Sequence, residues 1–207
     1  MEPKMILVVC NGNIHRSVIA ELCLNRELKR TGLENKIECV SRGLQGSCGT
    51  PLPTGKNLRD YPKEWSLTKP VLDRLGIKIP ESQQSTPVDG SIIRKATVVL
   101  ALDRGVLIDQ SNSLIKQSPE LSYKMRLFRE LEGNSEDVLD CCGQDDVSLY
   151  EQTIGVLDQI ARGRLGVLIG LAKLFCGSGS LFLKVEFSPK KDMPPESWGW
   201  CDLSIRP

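Results

Sequence analysis

The sequence predicts an α/β fold: one doubly wound domain with a central four-stranded parallel sheet flanked by helices, followed by a C-terminal extension. Three observations point there. Apolar residues at 5–9, a helical repeat after them and a second β-like run at 37–41 make a strand–helix–strand unit, and such a crossover implies parallel strands. The almost continuous apolar run 96–102 reads as a strand covered on both faces, which is how parallel sheets are built. Between the first strand and its helix lies a short glycine-containing polar loop that starts at Cys10. Junctions of this kind point backbone N–H groups inward beside a positive helix end, and so bind oxyanions.

Each further element follows from local pattern. Val18, Ile19, Leu22 and Leu28 recur at helical spacing after the loop, and Thr31-Gly32 stops that helix near Arg30. Residues 44–65 are rich in Gly, Pro and polar residues and read as one long loop. Tyr61 and Trp65 within it are either anchors for the next helix or an aromatic wall for a flat substrate. A short helix is expected at 66–75, closed by Gly76, and another at 91–95. Asp103 follows the central strand as a helix cap. The fourth strand is expected at 124–128, and a long last helix at 147–175, with Asp145 and Asp146 suited to its start. Gly177-Ser178-Gly179-Ser180 has linker composition, so the chain divides into a domain at 1–176 and a flexible extension at 177–207.

Composition narrows the function classes. The 207 residues carry a formal net charge of +1 and 40% apolar residues, which gives no general argument for nucleic acid or an anionic membrane as partner. The eight cysteines are irregularly spaced, Cys141-Cys142 is not a C-x-x-C pair, and His15 is the only histidine. A Cys/His metal site is therefore not expected. No signal peptide precedes the first strand, and the apolar stretch 165–175 is broken by Gly170 and Lys173 and too short for a bilayer. These features lead to the expectation of a cytoplasmic protein with reduced thiols, no membrane span and no cofactor. Oligomeric state is not legible.

The chemistry concentrates in the loop. Cys10 and Arg16 are separated by five residues and followed by Ser17, a C-x5-R-S pattern. A thiol at the mouth of an anion-binding loop sits in a positive field that favours the nucleophilic thiolate. Arg16 offers a planar fork matched to two phosphoryl oxygens. The pattern suits hydrolysis of phosphate esters by a cysteine nucleophile. A P-loop nucleotide site is excluded because no Gly-Lys-Ser/Thr closes the loop.

Cys10-Asn11-Gly12-Asn13-Ile14-His15-Arg16-Ser17, with Ile19-Ala20-Glu21 behind it, resembles the active-site loop of the low-molecular-weight protein tyrosine phosphatases. The resemblance extends over roughly 5–175, weakest at 44–65 and 110–136. It implies that Cys10 attacks phosphorus, that Arg16 and the loop amides from Asn11 through Gly12, Asn13, Ile14 and His15 to Arg16 and Ser17 hold the phosphoryl oxygens, and that Asp140 is the general acid. It implies support of the loop by Asn13, Ser17 and Ser41, the last from the turn Ser41-Arg42-Gly43. Arg42 stands where the family has a small residue, and is either a solvated charge or an extra cation at the cleft mouth.

Three other departures matter. His15 replaces a second cysteine, Cys141 replaces the proline after the acid, and Cys142 replaces an aromatic residue of the substrate slot. The expected substrate is a phosphorylated protein, phosphotyrosine first, with phosphoarginine and small phosphate esters sharing the required phosphoryl chemistry. The alternatives are a thioredoxin-coupled arsenate reductase, poorly matched because no cysteine lies between Cys48 and Cys141, and a non-catalytic phosphate-binding regulatory module.

Overall fold

The computed structural model describes residues 3–44, 51 and 54–174. Four strands, β1 (Lys4–Cys10), β2 (Ile37–Gly43), β3 (Val98–Ala101) and β4 (Met125–Leu127), form one parallel sheet in the order β2-β1-β3-β4. Among the described residues five α-helices accompany them: α1 (Arg16–Arg30), α2 (Pro62–Leu75), α3 (Gly90–Lys95), α4 (Leu114–Gln117) and α5 (Val147–Leu174). The α/β class and the four parallel strands are as the sequence predicts. The extension expected at 177–207 lies outside the described residues, as does Phe175 at the expected end of the last helix.

β1 is central because both of its faces are apolar. Alternate side chains of a strand point to opposite faces. Ile6, Val8 and Cys10 join a core with Ile19, Leu24 and Leu28 of α1 and Ile154, Leu157 and Leu168 of α5. Met5, Leu7 and Val9 join a second core with Ile93 of α3 and Leu114 of α4. The sheet thus has a helical layer on each face. Among the described residues no helix is long and apolar enough to cross a membrane.

Several boundaries differ from expectation. α2 starts at Pro62, four residues before the expected Ser66, because proline at the first helical position presets the backbone and lacks only an N–H that would be unbonded there. The loop before it is partly ordered: Asn57 caps a tight turn over Leu58–Asp60 and is buried. β3 is shorter than 96–102, since Ala96 closes α3, its N–H donating to the Ile92 carbonyl. β4 is three residues rather than five, with Lys124 and Phe128 in the tight turns on either side. At the start of α5, Asp146 accepts from the Ser148 amide, while Asp145 pairs with Lys63 of α2 at 2.7 Å.

Candidate active site

In open α/β sheets a ligand crevice forms at the carboxyl ends of strands where the strand order reverses. Here β1 has β2 on one side and β3 on the other, and Cys10 is the last residue of β1. Its sulfur lies 3.0 Å from Ser17 Oγ, at the first turn of α1, and accepts from the Asn13 amide at 3.3 Å. The loop therefore curls back over its own first residue.

Asn13 makes that curl possible. It is the one described non-glycine residue with positive φ, 51°, a region asparagine tolerates better than most residues. Its side chain is buried and satisfied: Nδ2 donates to Ser17 Oγ at 3.1 Å and to Ser41 Oγ at 2.9 Å, and Oδ1 accepts from the Thr86 amide at 2.9 Å. Asn13, Ser17 and Ser41 thus meet, joining the loop to α1, to β2 and to the segment before α3. Gln110 adds a further hold, donating to Asn11 Oδ1 at 3.0 Å.

Arg16 is 3% exposed and lies between two carboxylates. Nη1 donates to Asp103 Oδ2 and to the Val138 carbonyl, each at 2.8 Å, and Nη2 donates to Asp140 Oδ2 at 2.5 Å. Burial opposes its charge, but Asp140, then Cys10 and Asp103, outweigh burial and raise its pKa above the usual arginine value. Asp103 does the capping expected of it, accepting the Val106 amide on Oδ1, and also pairs with Arg16, which the sequence reading did not foresee. Asp103 is 13% exposed and Asp140 is 45% exposed, so Asp140 is the carboxylate a substrate can reach.

A cleft of about 230 Å³ opens over the loop, lined by Cys10, Arg16, Ile14, Tyr61, Glu64 and Cys142 among others, with Asp140 also on its wall. Tyr61 thus fits the aromatic-wall reading. Trp65 is instead an anchor: it packs on the core, and the Arg59 guanidinium lies 5.0 Å from its ring. Glu64, in the first turn of α2, is half-buried in the cleft wall and makes no described hydrogen bond or ion pair. Arg42 folds back on β2 and donates to the Ser41 carbonyl.

His15 and Cys141 face away from solvent, 2% and 0% exposed. The Cys141 sulfur lies 3.6 Å from His15 Nδ1, and His15 Nε2 lies 2.9 Å from Thr68 Oγ1 on α2. The Cys142 thiol and the His15 imidazole pull the Cys141 thiol down to about 5 against the opposing effect of burial. Cys142 shifts upward, chiefly through the Cys141 thiol beside it.

The structure brings Cys10 through Ser17, Ser41 and Asp140 around one cleft or into support of its loop, while Arg42 and Trp65 take other places. Sequence reasoning missed Gln110, Thr86, Glu64 and the second role of Asp103. Their types and spacing carry no signal, since each reaches the site through the fold. Among the described residues no group of three or more His, Cys, Asp or Glu is placed to hold a metal ion.

A model of the low molecular weight phosphotyrosine protein phosphatase family matches residues 5–168. A search of curated proteins finds no match. Among solved structures, a low molecular weight protein tyrosine phosphatase from T. tengcongensis is 25% identical at a TM-score of 0.60, covering 81% of this chain and 98% of its own. YwlE arginine phosphatase from Geobacillus stearothermophilus is 23% identical at 0.61, covering 86% and 99%. Wzb from Vibrio vulnificus, in complex with benzylphosphonate, is 20% identical at 0.58, covering 79% and 98%.

Proposed function

The chain belongs to the low molecular weight phosphotyrosine protein phosphatase family and is a phosphomonoester hydrolase of that family, and from that premise we propose that it acts on protein phosphotyrosine through a phosphocysteine intermediate. The observation that carries the reading is the setting of Cys10, whose sulfur is held by Ser17 Oγ and the Asn13 amide in the same cleft as the Arg16 fork.

The Cys10 thiolate attacks phosphorus in line, forming a sulfur–phosphorus bond as the bond to the leaving oxygen breaks. Arg16 and the loop amides hold the three equatorial oxygens, where the transition state carries its charge. Once a phosphoryl oxygen takes the Nη2 donor, Asp140 is released from Arg16, takes up a proton from solvent or from the phosphate monoanion, and passes it to the leaving oxygen. Asp140 then takes a proton from water, water attacks phosphorus, and the thiolate is regenerated. Ser17 stabilises that thiolate by donating to it. Tyr61 and Ile14 offer a flat apolar wall for a phenyl ring, in place of the aromatic residue absent at Cys142.

A second substrate, phosphoarginine, is favoured by one observation. Glu64 presents to the cleft a carboxylate with no ion-pair partner among the described residues, and a guanidinium is the cation best shaped to pair with it. Likeness to the Geobacillus arginine phosphatase bears on fold alone.

The experiment is mass spectrometry and turnover on Cys10→Ser, with phosphotyrosine peptide and phosphoarginine as substrates. Wild type should form a phosphoenzyme on Cys10. The variant should lose turnover but still bind inorganic phosphate, because the loop donors remain. Retained hydrolysis rejects the mechanism. A higher kcat/KM on phosphoarginine that Glu64→Gln lowers about tenfold, without loss on phosphotyrosine, selects the second substrate.

A further inference from the structure

We propose that Cys141 is a positioning residue for Asp140, acting through a latch in which its sulfur docks on His15 and ties the acid loop to the phosphate loop. This rests on the reading of Asp140 as the acid. The two positions that depart from the family pattern on either side of the cleft are, in the fold, in contact with each other. His15 directly precedes Arg16, and Cys141 directly follows Asp140. The 15–141 contact therefore lies next in chain to the 16–140 ion pair, and holding one sets the geometry of the other.

Three features make the contact a latch. First, Cys141 is the acid loop's one buried anchor. Of residues 139–148, all of them described, only Cys141 is buried. The loop's other ties are the Asp140–Arg16 pair, which a substrate displaces, the exposed Lys63, which reaches the Gly143 carbonyl at 3.3 Å and Asp145 at 2.7 Å, and Thr153 Oγ1, which donates to the Leu139 carbonyl at 3.3 Å. Second, the receiving surface is rigid. His15 is fixed by Thr68 of α2 and by Tyr150 of α5, whose ring stands at 88° to the imidazole with centroids 5.6 Å apart. Thr68 and Tyr150 are both fully buried. Third, the contact is polar and directional. Cys141 faces His15 from the phosphate loop, Thr153 and Tyr150 from α5, and Cys142 and Asp140 on its own loop. A ring nitrogen 3.6 Å from the sulfur orients Cys141 in a way that an apolar plug does not. A proline restricts a loop through its own ring. Cys141 restricts this one through its contact with His15.

The test measures phosphoenzyme formation by rapid quench with phenyl phosphate and 4-nitrophenyl phosphate, together with inhibition by inorganic phosphate. It compares wild type, Cys141→Ala, Cys141→Ser and Asp140→Ala. A displaced acid costs most where the leaving group needs its proton, and misplacement of about 1 Å can cost about 10²-fold. Cys141→Ala should slow the phenyl substrate about 10- to 100-fold and the nitrophenyl substrate less, with the phosphate inhibition constant unchanged within about twofold. Cys141→Ser keeps a hydrogen-bonding atom of similar size and should recover most of the loss. Equal slowing of both substrates, weakened phosphate inhibition, or no slowing overturns the latch. If Cys141→Ala does not fold, Cys141→Ser and Cys141→Val carry the comparison, with serine expected above valine on the phenyl substrate. If Asp140→Ala lacks the leaving-group dependence, the acid assignment fails and the latch with it. If Asp140→Ala shows the dependence and Cys141→Ala does not, the latch alone fails.

Discussion

Arg16 Nη2 donates to Asp140 Oδ2 at 2.5 Å, while Nη1 of the same guanidinium is held by Asp103 Oδ2 and the Val138 carbonyl at 2.8 Å. The buried side has the fixed partners, and the exposed side has the one carboxylate that substrate can displace. Arg16→Lys keeps the charge but not the fork. It should lower kcat/KM on 4-nitrophenyl phosphate by about 10²–10³-fold, the scale for losing an oriented transition-state donor. A loss below about fivefold in steady-state kinetics would mean the fork is not used.

Asn13 carries both a backbone and a side-chain task, and two substitutions separate them. Asn13→Ala places alanine at φ 51° and removes the contacts to Ser17, Ser41 and the Thr86 amide. Left-handed strain of about 1–2 kcal/mol and net hydrogen-bond loss of about 1 kcal/mol or more should lower the melting temperature by roughly 5–10 °C. Asn13→Gly removes the strain alone and should recover about half of that fall. Equal melting temperatures for the two variants would show that the positive φ carries no cost.

Most of the fold was legible because its signals are local. The alternation in β1 and the buried run of β3 come from neighbouring residues, and so do Cys10, Asn13, Arg16 and Ser17 within eight positions of chain. Asp140 was legible only through family resemblance, since 124 residues separate it from Arg16. Where the reading fell short, the cause is tertiary. Asp103 already had a sufficient local reason to exist as a cap, which hid its pairing with Arg16. Pro62 lies in a Gly- and Pro-rich stretch that reads as loop, yet the same restriction on its φ starts α2. His15 and Cys141 were each noted as isolated departures. Their contact spans 126 residues, and no spacing rule reaches that far.

Cys141 makes stability depend on pH. Its thiol is pulled from an ordinary value of 9.0 to about 5 by Cys142 and His15. Between those values the unfolded chain binds a proton that the fold does not. Stability from this group therefore rises with pH across that window, is complete above about 9, and is lost as pH falls through about 5. Cys142 shifts upward and stays protonated in both states over the same range, so it adds no slope there. The melting temperature of Cys141→Ala should fall less than that of wild type between pH 8.5 and 5.5. Parallel curves would place the ionised thiol elsewhere.

The acid itself is tested by its dependence on the leaving group. If Asp140 gives a proton to the departing oxygen, its contribution depends on how unstable that oxygen is as an anion. Phenolate needs the proton more than 4-nitrophenolate. General acid catalysis is typically worth about 10²–10⁴-fold, so Asp140→Ala should slow phosphoenzyme formation from phenyl phosphate by an amount in that range and from 4-nitrophenyl phosphate by less. Two neighbouring carboxylates serve as controls. Asp145 pairs with Lys63 and Asp146 accepts from the Ser148 amide, so both are committed to the start of α2 and α5. Asp145→Ala and Asp146→Ala should change thermal stability modestly and leave the leaving-group dependence intact. Phosphoenzyme formation must be measured directly, since Asp140 also serves hydrolysis of the intermediate and a slow second step equalises the two substrates in steady state. Equal slowing of the first step for both substrates in Asp140→Ala, or transfer of the dependence to Asp145→Ala, would remove Asp140 from the acid's role.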